Sequence, residues 1–460
     1  MYKKVGKFSL IFLSIILQSI LASADRSHDG WDIHFNGYLQ LDTIFDTTRT
    51  YIEQLNNSPV AVAGTVAGDN GNTKMSARQS RMYLKLNMPD EAGWKTKGWL
   101  EWDFQGYDPN PQGPTGGAQS EQSFFISPTF RMRNAYVQTE NGEGWTFLAG
   151  QQWSVFGYQP YFEMLNTSTN TPINVLNRTP QVKATKALSF GDSFKGQADL
   201  AIERPTQRDS TIPNLSGGVR MNWDAGRKSG FLHWVGTEFT YEPTSLALSG
   251  TLRQYETPNA DGNTADKSSY MGGGAALSAI VPILTTDGTS MKNNLTFLGE
   301  YIIGNGIGDD YVGWSGGQGS FTTGSGTAPT NVASNALLPN LDAGIAGYDS
   351  TGQFQLIQTQ EFTAELQYIL PTETTMAVNV EYGRLKSSNN TNLFSAAGVN
   401  GGTYDYNEMY SVDFVYSFSS NIRMIAEYSR MSTHYGPGTF AGAGTYTTNN
   451  RYAVSTYFMF

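Results

Sequence analysis

Cysteine is absent, which excludes a disulfide framework, a thiolate metal site and a cysteine nucleophile. Charge is scarce too: 15% of residues are Asp, Glu, Lys or Arg, and their formal sum is −10. An acidic chain has little with which to neutralise phosphates, so nucleic acid is excluded as a partner. Histidine is limited to His28, His34, His233 and His434, scattered without metal-ligand spacing. Metal motifs and internal repeats are missing. Gly272-Gly273-Gly274 precedes no helix signal and so is no phosphate loop. No cofactor is expected. Beyond the first 24 residues no apolar run approaches the length of a membrane helix.

That first stretch reads as an address. Lys3, Lys4 and Lys7 precede an apolar core from Leu10 to Leu21, and Ala22-Ser23-Ala24 has the small-x-small form of a cleavage site. The expected domains are a cleaved signal peptide at 1–24 and one unit at 25–460. Once the chain has left the inner membrane, only a closed barrel could embed it in lipid, because every backbone polar group must be paired there.

Abundance points the same way. The chain holds 50 Gly, 25 Phe, 25 Tyr and 9 Trp, while mean hydropathy is slightly negative. A barrel turns only every second residue to lipid, so its average stays polar. Period-two alternation is plain. Phe35, Leu39 and Leu41 alternate with Asn36, Tyr38, Gln40 and Asp42. Met82, Leu84 and Leu86 alternate with Arg81, Tyr83 and Lys85, and Leu100 and Trp102 with Glu101 and Asp103. Tyr410, Val412, Phe414, Tyr416 and Phe418 form one late row; Tyr452, Val454, Phe458 and the terminal Phe460 form another. A soluble sandwich also alternates, but the charged polar phase and the aromatics near strand ends favour a membrane barrel.

Connections alternate in length. Short turns fall at Pro89–Lys95, Asn141–Gly144, Gly191–Ser193, Pro371–Glu373 and Ser419–Asn421. Long segments rich in Gly, Asn, Thr and Ser lie between them, as in an antiparallel up-and-down barrel with tight periplasmic turns and large external loops. A direct count gives 17 strands, which conflicts with two periplasmic termini; treating Leu215 to Tyr241 as one long bulged strand restores 16.

Four runs then resemble a known family. Ala77-Arg78-Gln79-Ser80-Arg81, Arg131-Met132-Arg133-Asn134-Ala135-Tyr136, Ala149-Gly150-Gln151-Gln152-Trp153-Ser154-Val155-Phe156 and Arg178-Thr179-Pro180-Gln181-Val182-Lys183 are similar, in order and spacing, to markers of the DcaP-like porins. The similarity extends loosely from Phe35 to Phe460. It implies a homotrimer of 16-stranded barrels in the Gram-negative outer membrane, passing small anionic solutes such as dicarboxylates. Some members of that family have a helical extension after the signal, whereas here the first strand is expected from about Trp31, and the stretch from Asn222 to Ser245 is longer than usual.

In 16-stranded porins the third external loop folds inward. Here that loop starts at Ser154, and Phe156, Tyr158, Tyr161 and Glu163 are its candidate constriction residues; an ordinary surface loop is the alternative. Arg81, Lys85, Arg220 and Arg253 share the lumen phase, Arg178 and Lys183 sit where the loop returns, and Arg131 and Arg133 are ambiguous because Ala135 and Val137 follow in their phase. Such bases could form a ladder for carboxylates, or pair with Glu101 and Asp103 as wall contacts. With one acid, Glu163, and one base, Arg178, the loop is not an acidic one that would favour cations, and an anion preference is expected. The remaining acidic residues are assigned to external loops and the rest of the lumen wall. A barrel enzyme would need an oriented Ser–His pair, and none is recognisable. The alternative function is a surface receptor or adhesin acting through loops such as Gly304 to Gly352.

Overall fold

The computed structural model describes residues 30–49, 59–106, 129–157, 175–205, 210–223, 229–232, 239–258, 267–285, 290, 292–311, 345–348, 354–389, 404–436 and 446–460. The expected signal segment lies outside them. In chain order the strands are β1 (Asp32–Asp46), β2 (Asn72–Ser76), β3 (Arg81–Asn87), β4 (Trp94–Gly106), β5 (Thr129–Asn141), β6 (Trp145–Trp153) and β7 (Arg178–Ser189). Then come β8 (Phe194–Glu203), β9 (Asn214–Trp223), β10 (Ser229–Leu232), β11 (Phe239–Glu242), β12 (Thr244–Pro258), β13 (Lys267–Leu284) and β14 (Asn294–Asn305). The last seven are β15 (Ala346–Tyr348), β16 (Phe354–Leu356), β17 (Gln358–Ile369), β18 (Met376–Ser387), β19 (Tyr404–Ser417), β20 (Ile422–Tyr435) and β21 (Tyr446–Met459).

Seventeen of these make one antiparallel sheet that closes on itself. Both β2 and β3 pair with β1, one above the other, so they share a single place in the wall and the barrel has 16 strands. The run Ala77–Ser80 is the break between them. There Ser80 Oγ accepts the Gln40 backbone N–H at 3.0 Å, and Gln79 Nε2 donates to Asp42 at 3.2 Å. Closure comes from β1 on β21, in register from Tyr38↔Met459 to Asp46↔Arg451. Gly37 and Phe460 exchange backbone hydrogen bonds at 3.0 Å below it. At the top of the seam Asp46 accepts from Arg451 Nε and Nη2 at 2.8 and 2.9 Å and from Asn449 Nδ2 at 2.8 Å.

The even strand number stands, but its cause differs from the expectation. Residues 215–241 are not one bulged strand. β9 ends at Trp223 and pairs directly with β12, from Leu215↔Leu252 to Trp223↔Thr244. The intervening β10 and β11 form a separate hairpin in the periplasmic connection. Another small hairpin, β15–β16, lies within the long connection after β14. The eight external connections are called L1 to L8; L3 spans 154–177 and L6 spans 306–357.

Alternation has the expected sense. Leu39, Leu41 and Phe45 are about half exposed, whereas Gln40, Asp42 and Asp46 are buried. The same holds for Leu246, Leu248 and Leu252 against Ala247, Ser249 and Arg253. An apolar surface running round the whole barrel is far larger than water tolerates on a soluble protein, so hydrocarbon is its solvent. Trp94, Trp145, Trp223, Phe418 and Phe458 gather at the ends carrying short turns, the headgroup level for amphipathic rings. No helix among the described residues is long and apolar enough to cross a membrane.

Candidate solute pathway

A β-bulge decides the facing of the two ambiguous arginines. Trp102 pairs with Met132 and Glu101 with Asn134, so Arg133 is the extra residue on β5. The bulge lets Arg131 and Arg133 face inward, and the phase then switches. Asn134 is buried inside while Val137 stands 56% exposed outside. An extra residue re-aims the side chains on either side of it.

The inward arginines meet Glu101 and Asp103. Arg133 Nε donates to Glu101 Oε1 at 2.7 Å and its Nη1 to Asp103 Oδ2 at 2.9 Å. Arg131 grips Asp103 through Nε at 2.8 Å and through Nη2, which also reaches Gln105 Oε1 at 2.8 Å. Arg81 Nη1 lies 3.4 Å from Glu101 Oε1, and its guanidinium sits 5.6 Å from the Tyr38 ring centroid. Wall pairing is therefore what the structure brings about. Arg131 keeps the most solvent contact, with 27% of its side chain exposed against 3% and 5% for Arg81 and Arg133.

Other predicted bases are spread apart. Lys85 faces inward lower on β3, opposite Trp99. Lys183 donates to Gln152 Oε1 at 2.9 Å, and Arg220 donates to Asn222 and Ser245 at 3.0 and 3.2 Å. Arg178 has the parity of outward Pro180 and Val182 at the start of β7, but its partly buried side chain lies within electrostatic reach of Glu101, Asp103, Arg131 and Arg133. Its guanidinium packs 4.6 Å from the Trp153 ring centroid, and Nη1 has no hydrogen-bond partner among the described residues.

Both described limbs of L3 fold inward. The Val155 N–H points to Glu203 at 3.4 Å, and the Gly157 N–H donates to Ser249 Oγ on β12 at 3.1 Å. Phe156 is 1% exposed and presses on β13, where a Cβ added to Gly274 would lie 2.9 Å from its ring. That close approach accounts for the glycine at 274. On the returning limb Val175 bridges to Tyr311 of L6, and Asn177 Nδ2 donates to Asp310 at 2.7 Å. Tyr158, Tyr161 and Glu163 lie outside the described residues.

L6 is a second inward loop, which the sequence reading missed. Arg253 on β12 holds it, with Nη1 donating to Asp309 at 2.7 Å and Nη2 to Asp310. Burial pushes the Asp310 carboxyl up to about 7, against the pull of Arg253. L1 also enters: Val60 N–H donates to Thr433 Oγ1 at 2.9 Å, and Tyr435 O–H donates to Val60 O at 2.6 Å. Val60, Val62, Phe156, Val175, Ile307 and Tyr311 thus meet inward-facing Met409 and Met431 in one apolar layer.

The opposite wall is acidic. Glu300 on β14, Glu361 and Glu365 on β17, Glu381 on β18, Asp413 on β19 and Glu427 on β20 all face inward and are buried. Glu365 stands directly across from Glu381, and Asp413 across from Glu427. Like charges directly opposed on neighbouring strands are unfavourable, so shape alone does not account for them. Their signal was present as carboxylates in phase opposite the aromatic rows.

Two histidines have acidic neighbours: His34 Nε2 is 2.7 Å from Asp32, and His434 on β20 is 3.3 Å from Asp405. His233 lies outside the described residues. No group of three metal-binding side chains occurs among the described residues.

No family model matches the sequence, and no curated protein is significantly similar to it. The fold is that of the outer-membrane channel DcaP of Acinetobacter baumannii: TM-score 0.61, 16% identity, covering 95% of this chain and 99% of that one. An anion-selective porin from Comamonas acidovorans aligns with TM-score 0.49 and 9% identity over 94% of this chain and 100% of that one. Salmonella typhi OmpF aligns with TM-score 0.49 and 12% identity over 94% and 98%.

Proposed function

We propose that this chain is a Gram-negative outer-membrane porin, not an enzyme. It is delivered by a cleaved signal peptide, assembles as a homotrimer, and conducts small hydrophilic solutes passively with a preference for anions such as dicarboxylates. The carrying observation is the cluster on β3 to β5, where Arg81, Arg131 and Arg133 outnumber Glu101 and Asp103 beside the root of L3. An excess of fixed guanidinium charge at a narrow point attracts anions and offers carboxylates paired hydrogen bonds. Arg131, the most exposed of the three, is the residue best placed to meet a passing solute.

Planar-bilayer recording tests this. Purified protein should give stepwise, ohmic openings, and a salt gradient should give a reversal potential of anionic sign. Arg131→Gln should move that potential towards the cation side by several millivolts. Absence of stepwise conductance would sink the porin reading. A cationic sign in the wild type would overturn only the anion preference and would assign selectivity to the acidic wall.

A further inference from the structure

The outward face carries bases where lipid headgroups would meet it. β18 ends at the external loops with Arg384 and Lys386 in the outward phase, and Arg430 faces outward on β20 below that strand's external end at Tyr435. Register makes them neighbours. Lys386 lies across from Tyr406 and then His434, Arg384 across from Glu408 and then Ser432, and Arg430 across from Tyr410. Adjacent strands are about 4.8 Å apart and residues rise about 3.4 Å along each. Arg430, two strands away and two residues lower, therefore lies roughly 12 Å from Arg384 and roughly 17 Å from Lys386 between Cα atoms. With long side chains the three bases can converge on one lipid headgroup.

None of the three is in an ion pair among the described residues. The Arg384 guanidinium stacks 4.1 Å from the Tyr406 ring centroid, and its Nε has no hydrogen-bond partner there. Tyr406 stacks in turn on His434 at 4.9 Å with planes 5° apart. Glu408, the nearest cross-strand acid, instead accepts the Tyr382 hydroxyl at 3.1 Å. Directly below, Val380 and Val412 are 47% and 45% exposed and belong to the hydrocarbon band. Above such a band long basic side chains reach the headgroup layer, where they attract anionic groups.

We infer that Arg384, Lys386 and Arg430, on the tyrosine shelf between them, bind the phosphorylated saccharide headgroup of an outer-leaflet lipid. Guanidinium and ammonium groups take the phosphate oxygens, ring faces take the sugar, and Val380 and Val412 meet the acyl chains. The site is outside the lumen and independent of the solute pathway.

The test uses the full-length protein in detergent, with rough lipopolysaccharide as probe and its dephosphorylated form as control. Binding is read by native mass spectrometry and by titration of the intact complex. The triple variant Arg384→Gln, Lys386→Gln, Arg430→Gln should bind the phosphorylated lipid on the order of a hundredfold more weakly, with unchanged bilayer conductance and heat-modifiable gel mobility. Should the triple variant fail to fold, Lys386→Gln and Arg430→Gln singly should each weaken binding about fivefold. Three outcomes would overturn the inference. Dephosphorylated lipid could bind as well as the intact form. Millimolar inorganic phosphate could compete fully, which would make this a soluble-anion site. Or the variant could lose its oligomeric state while still binding lipid, which would make the patch a subunit contact.

Discussion

Arg133 and Arg131 stand two residues apart on one strand and answer differently to replacement. Arg133 is buried between Glu101 and Asp103, so Arg133→Ala would leave two buried carboxylates short of a partner. Breaking a buried pair from one side costs about 3–5 kcal/mol. The expected result is a clearly lower denaturant midpoint in detergent, whereas Arg131→Gln, which leaves Arg133 on Asp103, should change selectivity with a smaller loss of stability. Equal midpoints for the two variants would contradict this division. Asp310 supplies a pH test. Its folded-state value is raised to about 7 from 3.8. The associated stability is therefore full below the unfolded value and is lost as pH rises through about 7. Asp310→Asn should flatten the decline in unfolding midpoint between pH 4 and 8; a slope identical to wild type would refute the assignment.

At the level of elements, the hairpin β10–β11 pairs with no barrel strand, although β10 lies beside β13 and β14. β9 and β12 already pair with each other along residues 215–223 and 244–252, and wall closure needs neither hairpin strand. Replacing residues 225–242 by a short glycine-containing turn should leave strand content and conductance steps intact, as seen by circular dichroism and bilayer recording. Collapse of the barrel would show that the hairpin carries structural weight. The loops behave differently. L3 and L6 are tied to one another through Asn177 and Asp310 and to the wall through Arg253. Displacing either should therefore disturb both.

For the whole molecule, the exposed apolar phase determines the solvent and the two lumen walls determine the field. Guanidinium groups concentrate on β3 to β5 and carboxylates on β14 and β17 to β20, so the lumen is polarised across its width. Outside, the apolar surface should make the folded chain dependent on detergent or lipid. Detergent removal should precipitate it, and a monodisperse product without detergent would contradict the membrane reading. Chemical cross-linking of outer-membrane fractions should yield a ladder ending at three copies. A ladder ending at one or two would remove the trimer.

The sequence alone determined what depends on period and composition. Alternation marks which side of each strand meets hydrocarbon, aromatics mark strand ends, and connection lengths separate the two faces of the membrane. These are local properties, readable one segment at a time; the even strand number rests instead on placing both termini on the periplasmic side, because the bulged strand expected over 215–241 is not formed. Only the tertiary structure decided what depends on register and on distant contact. The break at Ala77–Ser80 and the hairpin between β9 and β12 alter pairing without altering the hydrophobic period, and the bulge that turns Arg133 inward switches the phase on β5 in a way only the register explains. The bonds from Arg253 to Asp309 and Asp310 join residues more than fifty positions apart. The acidic wall draws on β14 and β17 to β20. No local pattern encodes such meetings, because they exist only once the ring has closed.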